Sequence, residues 1–193
     1  APATGSAGTK DVVIQSASAG DTTLAGEYAV NLAGQIGGEP DWSRWADVAG
    51  LPTDRYRLKL GTLGDRLYAV GGSDPDGKGV TNVYCFDGAN WTEVAGLPAK
   101  RWRVVLGEVG GALIAAAGAP DGAEPTTNAF RFDGTAWEEV AGVPAAYWDM
   151  RGATYNGALY VVGGSYYGSR TNVYRFDGTN WTEVAGLPAP NES

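Results

Sequence analysis

From Asp54 onward, short apolar runs alternate with polar, glycine-rich breaks. Leu67-Tyr68-Ala69-Val70 ends in Gly71-Gly72. Leu113 to Ala116 ends in Ala117-Gly118, and Leu159 to Val162 ends in Gly163-Gly164. After a polar loop comes a second kind of run, Asn82-Val83-Tyr84-Cys85-Phe86, matched by Asn128 to Phe132 and Asn172 to Phe176. Each is followed by Asp-Gly and then by Trp91, Trp137 or Trp181. Runs this short, rich in Val, Tyr, Phe and Thr and bounded by turn signals, read as strands, and no helical period appears. Asp-Gly marks turns because both residues tolerate positive φ. A further strand is predicted after each Leu-Pro or Val-Pro, as in Arg55 to Gly61 and Arg101 to Gly107.

The runs belong to a repeat. Phe86 to Pro98 recurs as 132–144 and again as 176–188, and a partial earlier copy runs from Asp41 through Trp45 to Pro52. The tryptophans are spaced 46, 46 and 44 residues apart, and each has an Asp four residues before it: Asp41, Asp87, Asp133 and Asp177. A four-stranded unit of about 46 residues is the signature of a propeller blade. Leu159-Tyr160-Val161-Val162-Gly163-Gly164, then Asn172-Val173-Tyr174, then Trp181 resemble the kelch repeat: Gly-Gly after the second strand, Tyr in the third, Trp in the fourth. The resemblance covers Asp41 to Pro188. The second unit departs from it, with Ala117-Gly118 for Gly-Gly and Phe130 for Tyr.

The expected fold is therefore all-β, a kelch-like β-propeller with three clear four-stranded blades (52–98, 98–144 and 144–188) and a partial or degenerate N-terminal blade. Residues 1–40 form an arm carrying one or two strands (Asp11 to Gln15, Glu27 to Leu32), and 41–193 the blades. Trp91, Trp137 and Trp181 are expected to be buried between blades. Gly71, Gly72, Gly163 and Gly164 are expected where backbones approach closely.

Composition narrows the function. The 30 glycines and 10 prolines in 193 residues exclude a helical bundle, and 44% apolar residues suffice for a core. A formal charge of −8 disfavours nucleic acid and anionic membranes as partners. Cys85 is the single cysteine, which removes an internal disulfide. The absence of histidine removes Ser-His-Asp and Cys-His catalysis and His-liganded metals. No basic-then-apolar leader opens the chain, so a cytoplasmic origin without a cleaved signal is expected. No apolar run approaches the roughly 20 residues that cross a bilayer.

Candidate chemistry gathers in two sets of loops expected at one end of the blades. The first holds Arg55-Tyr56-Arg57, Arg101-Trp102-Arg103 and Trp148 to Arg151, with Tyr56, Trp102 and Trp148 in register. The second includes Tyr166, Tyr167 and Arg170. Arginines and aromatics dominate binding hot spots, and arginine takes carboxylates through paired hydrogen bonds. A face for a glycan or other acidic ligand is one reading. Staples, in which the same arginines pair with Asp54, Asp149 or other carboxylates, are the other. Asp74 and Asp76 read as a polar turn because the later ligands of a calcium loop are missing. Glu93, Glu139 and Glu183 read as solvated faces. No cofactor, metal or catalytic group is expected.

Kelch propellers use such loops for partners, and the resemblance implies a similar use here; the expected protein is a non-enzymatic binding propeller. Residues 1–36 are the expected attachment to other chains of a larger assembly, a twin copy included. Ala19 to Leu24 resembles the openings of some small phage capsid and tail accessory proteins, which implies a virion decoration or tail component. The alternative is a stand-alone carbohydrate-binding or carbohydrate-active propeller.

Overall fold

The computed structural model describes residues 47–120, 124–165 and 168–188. All of these except Asp47 fall within the unit Val48–Ser193. The N-terminal arm, Asp41, Trp45, Tyr166 and Tyr167 lie outside the described residues.

Three four-stranded antiparallel sheets follow one another along the chain. The first contains β1 (Lys59–Leu63), β2 (Arg66–Val70), β3 (Val83–Phe86) and β4 (Trp91–Val94). The second contains β5 (Val105–Val109), β6 (Ala112–Ala116), β7 (Ala129–Phe132) and β8 (Trp137–Val140). The third contains β9 (Arg151–Tyr155), β10 (Ala158–Val162), β11 (Val173–Phe176) and β12 (Trp181–Val184). In each sheet the spatial order is the chain order. The register repeats too: Phe86 faces Trp91, Phe132 faces Trp137 and Phe176 faces Trp181. The first strands are neighbours, β1 against β5 and β5 against β9, so the sheets radiate from them as blades.

The first strands start later than the apolar pattern suggests. β1 begins at Lys59 and β5 at Val105, because the residues before them turn: Arg57, Arg103 and Asp149 have φ of 55, 56 and 57°. The Asp-Gly turns form as expected. Asp87 Oδ1 accepts the N–H groups of Ala89 and Asn90, and Asp133 and Asp177 do the same in the later blades.

Two apolar seams join the blades. One packs Tyr68, Val70, Val83, Cys85 and Leu97 against Leu106, Leu113, Ala115, Phe130 and Phe132. The other packs Val105, Ile114, Ala116, Ala129 and Val143 against Met150, Leu159, Val161, Tyr174 and Phe176. The alternation of the strands supplies both faces, since neighbouring residues on a strand point to opposite sides. Burying each large side chain contributes about 1.5–3 kcal/mol. Glycine makes the inner strands fit: a Cβ on Gly61 would lie 2.7 Å from Leu106, and one on Gly107 2.7 Å from Leu159.

The tryptophans differ from expectation. The fully buried anchors are Phe132 and Phe176. Trp137 and Trp181 are only partly buried, each lying over the facing phenylalanine with centroids 4.8 Å apart. Their indole N–H groups reach back to the preceding blade, Trp137 to the carbonyl of Ala95 at 2.9 Å and Trp181 to that of Ala141 at 2.7 Å. Trp91 donates in the same way to Ala49 at 2.8 Å. The end of the partial first copy thus takes the place that Ala95 and Ala141 hold in the later seams.

Candidate functional site

The two loop sets do meet. Isolated bridges join Tyr56 to Ser73, Trp102 to Ala119 and Trp148 to Ser165. The Gly-Gly positions make this possible. Gly72 (φ 92°) carries no Cβ where one would lie 2.6 Å from the carbonyl of Tyr56, and Gly164 (φ 98°) and Gly118 (φ 80°) sit equally close to Trp148 and Trp102 at 2.8 Å.

Adjacent arginines then part company. Arg55 and Arg101 turn into the blades. Arg55 donates to the carbonyl of Asp54 and to Asn82 Oδ1, and Arg101 donates to the carbonyl of Lys100 and to Asn128 Oδ1. Asn82, Asn128 and Asn172 in turn donate to Glu93, Glu139 and Glu183, so these outer-strand carboxylates are hydrogen-bonded as well as solvated. Arg101 is 5% exposed and lies 5.6 Å from the Phe130 ring. Burial pulls its guanidinium below the ordinary arginine range. Arg101 is therefore a staple and not a presented side chain, which corrects the sequence-based expectation for that residue. In the third blade Tyr147 takes the Arg position. Arg170 lies 5.4 Å over its ring. Burial, with the Tyr147 hydroxyl alongside, pushes the Tyr174 phenol up to about 12.

Arg57, Arg103 and Asp149 project the other way. A cavity of about 460 Å³ is lined by Arg57, Leu58, Lys59, Arg103, Asp149 and Arg151, all at the entrances to the first strands. That volume is in the range of small-molecule sites. Aromatic rings fix the guanidiniums. Arg57 lies 4.7 Å and Arg103 4.8 Å from the Trp102 ring, and Arg103 is also 5.8 Å from Trp148. Trp102 meets Trp148 edge-on at 6.0 Å and is anchored by its indole N–H to the carbonyl of Pro120. Arg103 donates to Asp149 at 2.6 Å, and Arg151 lies 4.0 Å from the other oxygen of the same carboxylate. Arg103 and Asp149 sit at φ of 56° and 57°, a region costly for residues other than glycine.

Of the predicted residues the cavity lining thus holds Arg57, Arg103 and Arg151, with Trp102 packed against the first two guanidiniums and Trp148 against that of Arg103. It leaves Arg55, Arg101 and Arg170 in the blades. Lys59 was missed, as was the cavity-lining role of Asp149. The signal for Asp149 was present: it follows Trp148 as Arg57 follows Tyr56 and Arg103 follows Trp102. Elsewhere, the Asp74 loop closes on itself, Asp74 Oδ1 accepting the N–H of Lys78. Cys85 is buried, with Arg66 3.8 Å from its Sγ. Among the described residues no group of three or more carboxylates and cysteines is arranged to hold a metal ion, and no helix is long and apolar enough to cross a membrane.

Radiating four-stranded sheets with loops converging at the inner strands define blades of a β-propeller. The family model of the Kelch motif matches residues 54–98, the first of these blades. Among solved structures, one described as "Structure of YjhT" is similar in fold, with a TM-score of 0.63 at 15% identity over 76% of this chain and 50% of that one. The chain therefore spans about half the length of that structure. No curated protein matches the sequence. The three blades thus have a kelch-like propeller fold, and the first of them carries the Kelch motif.

Proposed function

We propose that this protein is a non-enzymatic binding propeller whose cavity at the first-strand entrances takes a carboxylate-bearing glycan. The observation that carries the reading is the lining itself: Arg57, Lys59, Arg103 and Arg151 around one carboxylate, Asp149. The chain as a whole has a formal charge of −8. A cationic cleft on an acidic body focuses the local field on an anionic ligand. Arginine forms paired hydrogen bonds to a carboxylate, and the exposed Tyr56, next to Arg57 in the chain, offers a ring face to a sugar. The usual form of glycoside hydrolysis places two carboxylates across the scissile bond, and the described lining holds one. Residues 1–36 would attach the propeller to a larger assembly, such as a virion.

The test compares a uronate-containing oligosaccharide with its carboxyl-reduced, neutral counterpart by titration calorimetry. The acidic form is expected to bind and the neutral form to bind at least about tenfold more weakly, a difference of roughly 1.4 kcal/mol. Arg57→Gln with Lys59→Gln is expected to remove most of that preference without lowering the melting temperature, because Arg57 is exposed and Lys59 half-exposed. Equal binding of the two sugars, or binding of neither, would sink the reading.

A further inference from the structure

The position occupied by Arg57 in the first blade and Arg103 in the second is held by Asp149 in the third. Backbone conformation is the same at all three, φ 55, 56 and 57°. The repeat therefore delivers two cations and one anion into one cavity. Arg103 has ring contacts besides its bond to Asp149. It lies within 4.8 Å of Trp102 and 5.8 Å of Trp148, its side chain is 23% exposed, and its Nε–H is buried without a hydrogen-bond partner. Asp149 occupies the Nη1 group of Arg103, one of the donors at the cavity wall, at 2.6 Å. Its second oxygen is 4.0 Å from Arg151, which is 68% exposed. Asp149 thus has one partner engaged and another within a small movement.

We propose that Asp149 is a built-in counter-anion that regulates this site: a ligand carboxylate displaces it from Arg103, and Asp149 passes to Arg151. This rests on the anionic-ligand reading above and adds a selectivity device to it. Each binding event exchanges one charge-assisted hydrogen bond for another at Arg103, so that contact gives little net affinity. A lone small anion gains little from the exchange. A uronate sugar also brings hydroxyl donors that the released Asp149 can accept, alongside the approach of Arg151. The site thereby favours hydroxylated carboxylates over simple anions.

The experiment uses Asp149→Asn and Asp149→Gly, because Asn and Gly are the residues that best tolerate the left-handed backbone at φ 57°. Sodium sulfate and the uronate oligosaccharide are titrated separately into the full chain at constant ionic strength. Both variants are expected to bind sulfate about tenfold more tightly than the parent, the worth of one freed guanidinium contact at roughly 1.4 kcal/mol. The sulfate gain is expected to exceed any gain for the uronate, so the ratio of the two affinities shifts toward sulfate. Arg151→Met is expected to weaken uronate binding several-fold in the parent and much less in the Asp149→Asn background, a non-additivity that identifies the transfer. Unchanged or weaker sulfate binding in both variants would overturn the inference, as would additive effects of the Asp149 and Arg151 changes. If parent and variants alike bind neither probe, the anionic-ligand reading itself has failed and this inference falls with it. If the parent binds the uronate and the Asp149 variants show no shift in ratio, only the role of Asp149 is lost.

Discussion

At Gly72 the chain needs both a left-handed φ of 92° and the space a Cβ would fill, 2.6 Å from the carbonyl of Tyr56. The neighbouring atoms are backbone, so they cannot rotate away. Gly72→Ala is expected to lower unfolding stability by about 2–3 kcal/mol, the cost of a non-glycine residue in strained backbone together with a crowded bridge. Urea unfolding checks this, and a loss under about 0.5 kcal/mol would mean the loop repacks freely. Ala117 shows the opposite balance. It sits at φ 57° where the other blades have Gly71 and Gly163, yet its methyl is 1% exposed and joins the seam with Met150 and Leu159. Burial of that methyl, worth about 0.8 kcal/mol, offsets part of the backbone strain. The second blade thereby tolerates its departure from Gly-Gly.

Within each outer hairpin a phenylalanine and a tryptophan face each other, and they carry different loads. Phe132 is fully buried and touches Tyr68 edge-on across the first seam at 5.6 Å. Trp137 covers Phe132 from the partly exposed side and ties its blade to Ala95. Phe132→Ala is expected to cost about 3–5 kcal/mol. Trp137→Ala is expected to cost about 2–3 kcal/mol, less because the ring is only partly buried, with roughly 1 kcal/mol of it from the lost hydrogen bond. Chemical denaturation of the two variants gives the order, and a larger loss at Trp137 than at Phe132 would contradict it. The repeat made both residues conspicuous from the sequence. Their ranking was not legible there, because burial depends on what the next blade places over each ring.

For the molecule as a whole, stability is bounded by titration on both sides. Backbone N–H groups of Asn90 and Ala89 hold the Asp87 carboxyl below its ordinary 3.8, and the same turns act on Asp133 and Asp177. Their folded values are depressed, so this stabilisation is present above the unfolded value and is lost as pH falls through the folded ones. Tyr174 is opposite in sign. Its folded value, about 12 against an ordinary 10.0, means stabilisation present below pH 10.0 and lost as pH rises toward 12. The melting temperature is expected to be flat near neutrality and to fall at both extremes. Tyr174→Phe should soften the alkaline fall and leave the acid one alone; an unchanged alkaline limb would show that Tyr174 does not set it.

The sequence by itself determined the second, third and fourth strands of each blade and the register of one repeat on the next. That information is local: apolar alternation, Asp-Gly turns and a 46-residue spacing recur at fixed offsets. It also aligned Tyr56, Trp102 and Trp148, because equivalent positions of a repeat occupy equivalent places. Only the tertiary structure decided which arginine of each pair faces the cavity. Arg101 and Arg103 are two residues apart with the same chemistry, but Arg103 adopts a left-handed φ while Arg101 enters the seam beside Phe130. Lys59 and Asp149 joined the lining for the same reason. Side-chain direction at these turns follows from close backbone contact between loops far apart in the chain, Tyr56 with Ser73 and Trp148 with Ser165. A pattern read along one strand carries no record of that contact.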